Sequence, residues 1–290
     1  MENIKTKSSM PGSARQYDPL NNFFFYKIFG EKGDEVQLLG FINAVLGKTE
    51  DDRFVSVEIL ENKNFMAEIM RGKSCALDVR AKLQNGDMVN IEVQLRDQHN
   101  MDRRSLFYLS KEYVKKLNSG DDYIQLPNVI AINIVNYNFP KTKDFHSCFH
   151  LREDNEPDII LTDALEVHFI NMVKYRKQGK GKLENPLCRW LAWFDKNSPP
   201  ELLEEVLKMD VAIQNADKTM SFVTMSEEEM DTYERIMKAE RDRRAEIYYA
   251  HNKGHAQASY TIARNLLTKG STPEFIHETT GLSLEEISKL

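Results

Sequence analysis

Residues 77–95 hold the pattern that most constrains the fold, because apolar and polar residues alternate on both sides of an Asn85-Gly86 pair. Alternation with a period of two is typical of half-buried β-strands. Asn-Gly between two such segments is a strong signal for a hairpin. The sequence therefore predicts an antiparallel hairpin whose apolar positions are Leu77, Val79, Ala81 and Leu83, then Val89, Ile91, Val93 and Leu95.

The pairing of the two strands follows from the expectation that their polar residues share one face. A two-residue loop at Asn85-Gly86 would mix apolar and charged side chains on each face, since a one-residue slip turns every side chain over. A three-residue loop over residues 85–87 removes that conflict, and we expect it. It pairs Asp78 with Gln94, Arg80 with Glu92, and Lys82 with Asn90.

In this pairing the Asp78 and Glu92 side chains are diagonal neighbours, roughly 7 Å apart at the backbone. Two carboxylates at that separation can share one hard cation such as Mg²⁺. A bound ion of this kind lowers the pKa of a water molecule and offsets negative charge on a phosphate under attack. Taken alone, however, the alternation favours an ordinary amphipathic hairpin with a solvated outer face.

Helices and further strands are predicted on both sides of the hairpin from apolar periodicity and from Gly, Pro and capping residues. We expect helices at Leu20–Phe29, Glu35–Leu46, Asp102–Leu117, Asp163–Lys174 and Pro200–Ala212, and strands at Phe54–Leu60, Pro127–Tyr137 and Phe149–Ile160. From Ser226 onward the chain is predicted to be helical. The order predicts an α/β (α+β) fold in which helices flank a central mixed β-sheet, with a helical C-terminal extension.

Length and composition bound the domain organisation. A chain of 290 residues with 41% apolar residues fits one large domain with an appendage. We expect a disordered tail at residues 1–16, a main domain at 17–215 and a helical C-terminal region at 216–290. The net charge of −6 argues against a protein that coats nucleic acid, but not against an enzyme with a local basic patch.

The location of the protein is predicted from its apolar runs and its cysteines. The longest apolar runs are shorter than the roughly 20 residues that a membrane span needs. The three cysteines are far apart and show no zinc-ligand spacing, so a disulfide framework is not expected. We therefore expect a cytoplasmic protein without membrane contact.

Several segments, taken in order, are more specific than any single motif. They are Asp18–Gly30, Leu39–Leu46, Lys73–Asp78 (KSCALD), Asn90–Gln94 (NIEVQ), Arg104–Tyr113, Gly120–Tyr123 and Ala263–Leu290. Together they resemble the PD-(D/E)XK nuclease superfamily and, within it, the recombination-promoting nuclease/putative transposase (Rpn) family. The resemblance covers roughly residues 17–140 and the last thirty residues.

The resemblance implies a restriction-endonuclease-like core and a Mg²⁺-dependent DNA endonuclease connected with recombination, mobile elements or genome defence. It implies that Asp78 is the first metal ligand, that Glu92 is the second and that the Val93 carbonyl is a third. We expect Mn²⁺ to substitute for Mg²⁺. Asp18 stands where some members place a further acidic residue, although an N-cap of the first helix is the preferred interpretation.

Gln94 departs from the superfamily pattern, which usually has Lys at this position. A Gln side chain supplies no positive charge, but it can orient a water molecule by hydrogen bonding. Lys82 or Lys73 is the hypothetical source of the missing charge. Two alternatives stay open: a ribonuclease that uses the same site, and an inactive nuclease fold that acts in binding or assembly.

Nucleic-acid contacts are expected from Lys73 and from one face of the predicted helix after the hairpin. Arg104, Tyr108 and Lys111 follow one another at spacings of three or four residues and therefore share that face. The alternative is an ordinary solvated helix face. No helix with base-reading residues at its start is recognisable, so low sequence specificity is expected.

The C-terminal segment resembles a small helix-turn-helix. We expect helices at Tyr260–Lys269 and Thr272–Thr279, then a third that begins at Ser283 with Glu286 completing a capping box. Lys289 is the only base of this last helix, which argues against direct DNA reading. The alternatives are a homodimer through the C-terminal helices and the binding of another partner.

Overall fold

The computed structural model describes residues 17–60, 79–114, 122–222 and 227–290. Two of the predicted site residues, Asp78 and Lys73, lie outside these ranges, and so does the predicted tail at residues 1–16.

A six-stranded mixed sheet forms the centre of the larger unit. Its strands are β1 (Val57–Ile59), β2 (Val79–Leu83), β3 (Met88–Gln94), β4 (Val129–Val135), β5 (His146–Arg152) and β6 (Ile160–Asn171). They lie in the order β1-β2-β3-β4-β6-β5. Strands β3, β4 and β6 run parallel, whereas the other neighbours pair antiparallel. The predicted fold class, a mixed sheet flanked by helices, is confirmed.

In the described ranges, helices lie before, between and after the strands. They are α1 (Asn22–Phe29), α2 (Glu35–Val45), α3 (Met101–Val114), α4 (Met172–Gln178), α5 (Pro186–Phe194), α6 (Pro200–Met209), α7 (Val211–Phe222), α8 (Glu227–Thr268), α9 (Pro273–Thr280) and α10 (Leu284–Ile287), with a short 3-10 turn at Tyr123–Gln125.

Helix α3 covers one face of the sheet, and an aromatic cluster joins three other helices. Met101 and Leu109 of α3 pack on apolar side chains of β3, β4 and β6. In α1, α2 and α5 the fully buried rings of Phe29, Phe41 and Trp190 lie within 6.0 Å of one another, centroid to centroid. Aromatic side chains contribute the largest buried areas in a core, so this cluster anchors the N-terminal helices.

The predicted strand pairing of the hairpin was wrong by two residues. Arg80 pairs with Asn90, and Lys82 pairs with Met88. The loop does have three residues, but it consists of residues 84–86, because the Leu83 amide donates to the Asp87 carbonyl at 2.8 Å. Gly86 adopts a φ of +94°, as a three-residue hairpin loop requires at its left-handed position. Since the shift is an even number, the polar residues still share one face.

The predicted helix at Asp163–Lys174 was also wrong, because most of that segment forms β6. This strand hydrogen-bonds to β4 on one side and to β5 on the other. Pairing on both edges outweighs the weak helical preference of the segment. The predicted strand at Phe149–Ile160 overlaps the end of β5, a connection and the first residue of β6.

Asp18 is not the N-cap of the first helix. That position is occupied by Asn21, whose side-chain oxygen accepts the Phe23 amide at 3.0 Å. Asp18 instead accepts the amide of Leu20 at 3.0 Å, two residues ahead of it. Its carboxylate is therefore held in a turn that precedes α1.

The chain divides into two compact units, residues 1–224 and 225–290. The boundary predicted at 215/216 falls inside α7, and the predicted domain limits stay a prediction. Among the residues that the structure describes, no helix is both long enough and apolar enough to cross a membrane.

The smaller unit consists of one long helix and a compact end. The predicted separate helix at Tyr260–Lys269 is the last part of α8, which continues without a break from Glu227. Ala263 of α8 packs with Ile276 and Ile287 of the two short helices. The predicted capping box of Ser283 and Glu286 is confirmed. A homodimer through these helices stays a prediction.

Candidate active site

Glu92 lies on the polar face of β3 and forms an ion pair with Arg104 of α3. Their side chains are only 5% and 11% exposed, and Arg104 Nε donates directly to Glu92 Oε1. Burial raises the pKa of the Glu92 carboxyl, while the positive charge and hydrogen bond of Arg104 oppose that rise. Arg104 therefore favours the ionised form of a carboxylate that burial would otherwise keep protonated.

The second oxygen of the same carboxylate is buried without a hydrogen bond. Within the described ranges, Glu92 Oε2 and the hydroxyl of Tyr137 are both buried polar atoms that have no hydrogen-bond partner. Burial, followed by the negative charges of Asp97 and Glu92, raises the pKa of Tyr137. Buried polar groups are usually satisfied. Glu92 Oε2 and the Tyr137 hydroxyl both lack a partner in the described part of the chain, and the negative charge of Glu92 acts on Tyr137. This indicates that a group other than these two side chains completes the site.

A buried polar layer that was not predicted from the sequence continues from Glu92 beneath α3. Asn133 of β4 is the direct strand partner of Glu92. Its amide nitrogen donates to the His168 carbonyl at 3.1 Å, and its oxygen accepts the Ser105 hydroxyl at 3.2 Å. The available signal was a single Asn in the apolar run VIAINIV of β4. These two hydrogen bonds fix the side chain of Asn133, the strand partner of Glu92.

A second ion pair ties α3 to the hairpin. Arg80 Nη2 of β2 donates to Glu112 Oε2 of α3 at 2.7 Å, and the Glu112 side chain is 10% exposed. Arg80 thus forms its ion pair with a helix residue rather than with Glu92, its predicted strand partner. Together with Arg104, it holds α3 against the polar face of the hairpin.

Gln94 and Val93 lie at the carboxyl end of β3. The Gln94 side-chain amide donates to the Arg96 carbonyl at 3.1 Å, and the side chain is largely buried. The Gln94 backbone carbonyl accepts the Asn136 amide, on the side of β4. Because successive carbonyls of a strand point to opposite edges, the Val93 carbonyl points toward the side of β2. That direction suits the third ligand expected from the sequence.

Lys82 lies far from Glu92 along the sheet. Its direct partners are Met88 on β3 and Glu58 on β1. Glu92 lies four positions after Met88, which corresponds to about 13 Å along a strand. Within the described residues, the cation next to the Glu92 carboxylate is Arg104, one of the predicted nucleic-acid contacts.

The other predicted nucleic-acid contacts lie on α3. The Arg104 guanidinium stands over the Tyr108 ring at 5.2 Å from its centroid. Lys111 is exposed, one turn further along the helix. The helix therefore runs from a buried cation at Glu92 to an exposed one at the surface, while Lys73 lies outside the described residues.

Asp18 lines a cavity of about 220 Å³ beyond the carboxyl ends of β3 and β4. Leu95, which follows Gln94, and Asn136, which follows β4, line the same cavity. Asp18 Oδ2 is 4.0 Å from Lys196 Nζ, and Arg176 donates to Asn136 Oδ1 at 2.7 Å. The cavity thus places a carboxylate from the N-terminal segment at the end of β3.

The model of a family described as PD-(D/E)XK nuclease family transposase matches residues 19–250, which is most of the chain. No curated protein and no solved structure matches the chain.

Proposed function

Because the chain belongs to the PD-(D/E)XK nuclease family transposases, we propose that it is a Mg²⁺-dependent DNA endonuclease with Glu92 at the centre of its active site. The family supports a nuclease or mobile-element role, and PD-(D/E)XK nucleases typically use divalent metals. The choice of Mg²⁺, the DNA substrate and the residue roles belong to the proposal.

The buried Glu92 carboxylate is the observation that carries the proposal. Arg104 holds one of its oxygens, while the other is buried and has no hydrogen bond within the described ranges. A buried carboxylate oxygen without a partner is costly unless a ligand compensates it, and oxygen is the ligand atom that Mg²⁺ prefers. The donor set therefore fits the metal that the family implies.

Three groups would hold the ion: the Glu92 carboxylate, the Val93 carbonyl and the Asp78 carboxylate. Asp78 lies outside the described residues, but it directly precedes Val79, whose strand partner is Ile91. A bound Mg²⁺ would lower the pKa of a water molecule and offset charge on the phosphate.

The remaining roles belong to side chains around Glu92. Arg104 opposes the protonation that burial favours at the Glu92 carboxylate and fixes its orientation. Gln94 orients the attacking water through its amide group, and its hydrogen bond to the Arg96 carbonyl sets the direction of that amide. With Lys82 about 13 Å away along the strand, we assign the positive charge near the carboxylate to Arg104. Lys111 and Tyr108 contact the DNA backbone, which gives low sequence specificity.

Matched substrates test the substrate class. Duplex DNA and single-stranded DNA and RNA of one sequence are incubated with the full chain in Mg²⁺, in Mn²⁺ and in a chelator. Metal-dependent cleavage of DNA is the expected result. Cleavage of RNA alone would replace the proposal with the ribonuclease that uses the same site.

One observation favours an inactive fold as the second candidate. The position that usually holds Lys is Gln94, and the nearest cation that the structure describes is already engaged with Glu92. A chain that binds DNA but cleaves none of the substrates in either metal would establish this second candidate.

A further inference from the structure

The β5–β6 hairpin carries a cluster of metal-ligating side chains away from Glu92. Three of them stand at alternate positions of β5, and two stand at alternate positions of β6. They are His146, Cys148, His150, Glu166 and His168. The spacing between the cysteines alone does not predict this cluster, because Cys148 is its only cysteine.

The strand pairing brings the cluster together. Cys148 is the direct partner of His168, so the two side chains share one face of the sheet. His168 is also the partner of Ile132, whereas Glu92 is the partner of Asn133, the next residue of β4. Successive residues of a strand point to opposite faces. The cluster and the candidate active site therefore lie on opposite faces of the sheet.

The distances within the cluster are close to those of a tetrahedral zinc site. Cys148 Sγ is 3.2 Å from Glu166 Oε1 and 3.7 Å from His168 Nε2, and the last two atoms are 2.8 Å apart. In a tetrahedral site with Zn–S near 2.3 Å and Zn–N or Zn–O near 2.0–2.1 Å, neighbouring ligand atoms are about 3.3–3.6 Å apart. Shifts of up to about half an ångström in the distances between ligand atoms separate the two arrangements.

His150 supplies a fourth donor at the rim of the cluster. Its Nε2 is 3.7 Å from Glu166 Oε1 and 4.0 Å from Cys148 Sγ. The His150 side chain is 19% exposed and that of Glu166 is 26% exposed, while that of His168 is 4% exposed. One ligand is therefore fixed in the interior, and the others face a side that an ion can reach from solvent.

His146 orients the innermost ligand. Its Nε2 lies 2.9 Å from His168 Nδ1, and the two rings stack with their centroids 5.2 Å apart. When His168 Nδ1–H donates to His146, Nε2 is left with the lone pair that a metal takes. A partner of this kind on the second ring nitrogen is usual for metal-bound His.

We propose that Cys148, His150, Glu166 and His168 bind one Zn²⁺ ion, with His146 as a positioning residue. Sulfur, imidazole and one carboxylate suit Zn²⁺, whereas Mg²⁺ prefers oxygen alone. On binding, a Zn–S bond replaces the S–H bond of Cys148, whose hydrogen now points to Glu166, and the proton passes to water. The site ties the outermost strand β5 to β6 and is independent of the proposed nuclease activity.

Titration of the metal-free full chain with Co²⁺, followed by displacement with Zn²⁺, tests the site. Thiolate-to-cobalt charge transfer and the absorption bands of tetrahedral Co²⁺ are expected at one equivalent, together with resistance to excess Mg²⁺. Cys148→Ser removes the charge-transfer band. His146→Ala weakens binding by about 10- to 100-fold, and His168→Ala weakens it further.

Two variants keep the result interpretable. Cys188→Ala, a buried cysteine outside the cluster, retains the full spectrum. His150→Ala removes a partly exposed ring, so the variant chain should fold normally. It should bind Co²⁺ more weakly than wild type does. A wild-type chain without cobalt bands, or a Cys148→Ser chain that keeps the charge-transfer band, overturns the proposal. Since no readout depends on DNA cleavage, its failure would not touch the proposed function.

Discussion

Arg104 of helix α3 donates its Nε to the Glu92 carboxylate of strand β3, in a contact that leaves both side chains nearly buried. The pair connects the helix to the strand on which the proposed metal ligands lie. The ion pair therefore contributes both to the stability of the fold and to the geometry of the site, and each contribution can be tested separately.

Loss of Arg104 alone should strongly destabilise the protein. Arg104→Met leaves the Glu92 carboxylate buried without its partner, and breaking a buried ion pair on one side costs about 3–5 kcal/mol. The free energy of unfolding in urea measures this loss. The double variant Arg104→Met/Glu92→Met should recover much of the lost stability, because neither charge then remains in the interior.

The matched control is Arg103→Met, on the exposed side of the same helix. It should change stability by less than about 0.5 kcal/mol. Equal effects at positions 103 and 104 would contradict the pairing.

The contribution of Asp34 to stability should fall as the pH rises from about 4 to about 7. Burial raises the pKa of this carboxyl from 3.8 to about 7, despite hydrogen bonds from the Glu31 amide and the Gln37 side chain. Between these values the folded chain binds a proton that the unfolded chain has lost, so raising the pH favours unfolding. The contribution is complete below the lower pKa and is lost as the pH passes the higher one. Thermal midpoints of wild type and Asp34→Asn across this range measure the effect, and an identical slope in both would contradict it.

Two helical glycines should respond in opposite directions to substitution by Ala. At Gly40 of α2 an added Cβ would lie 2.4 Å from the Cβ of Ala212 on α7, whereas at Gly254 of α8 nothing lies within 4 Å. Overpacking of this kind costs about 1–3 kcal/mol, while relief of a glycine in a helix stabilises by about 0.5–1 kcal/mol. Urea unfolding of Gly40→Ala and Gly254→Ala measures both. A stable Gly40→Ala chain would mean that α2 and α7 do not approach this closely.

A zinc ion should stabilise the fold if the β5–β6 site binds it. A ligand that binds only the folded state, at a free concentration of about 100 times its dissociation constant, adds about 2.7 kcal/mol to the free energy of unfolding. The thermal midpoint of wild type should therefore rise with Zn²⁺, while that of Cys148→Ser should rise much less. A rise of equal size in both chains would show that zinc acts elsewhere.

The faces of the hairpin could be predicted from the sequence, but its exact pairing could not. Period-two alternation separates Glu92 and Gln94 from their apolar neighbours whatever the loop. The pairing depends on which three residues form the loop, and Asn85, Gly86 and Asp87 are all good turn residues. The choice is made by the Leu83–Asp87 hydrogen bond. That choice separates Lys82 from Glu92.

The other differences arise from contacts between distant parts of the chain. Strand β6 is decided by its two neighbours rather than by its own residues, so a local pattern predicted a helix. The partner of Glu92 comes from α3, and that of Cys148 comes from β6. Ligand-type residues at every second position of β5 were visible in the sequence, but the position of Glu166 and His168 opposite them was not.

Nicking of supercoiled plasmid as a function of Mg²⁺ concentration tests the central claim most directly. Wild type is compared with Glu92→Gln, Asp78→Asn and Glu58→Gln, the last an exposed carboxylate on β1, which β2 separates from β3. We expect metal-dependent nicking by wild type and Glu58→Gln, and a loss of about a thousandfold or more in the other two, since metal-bound charge stabilisation is worth several kcal/mol. Nicking by a folded Glu92→Gln chain at the wild-type rate would contradict the assignment of Glu92.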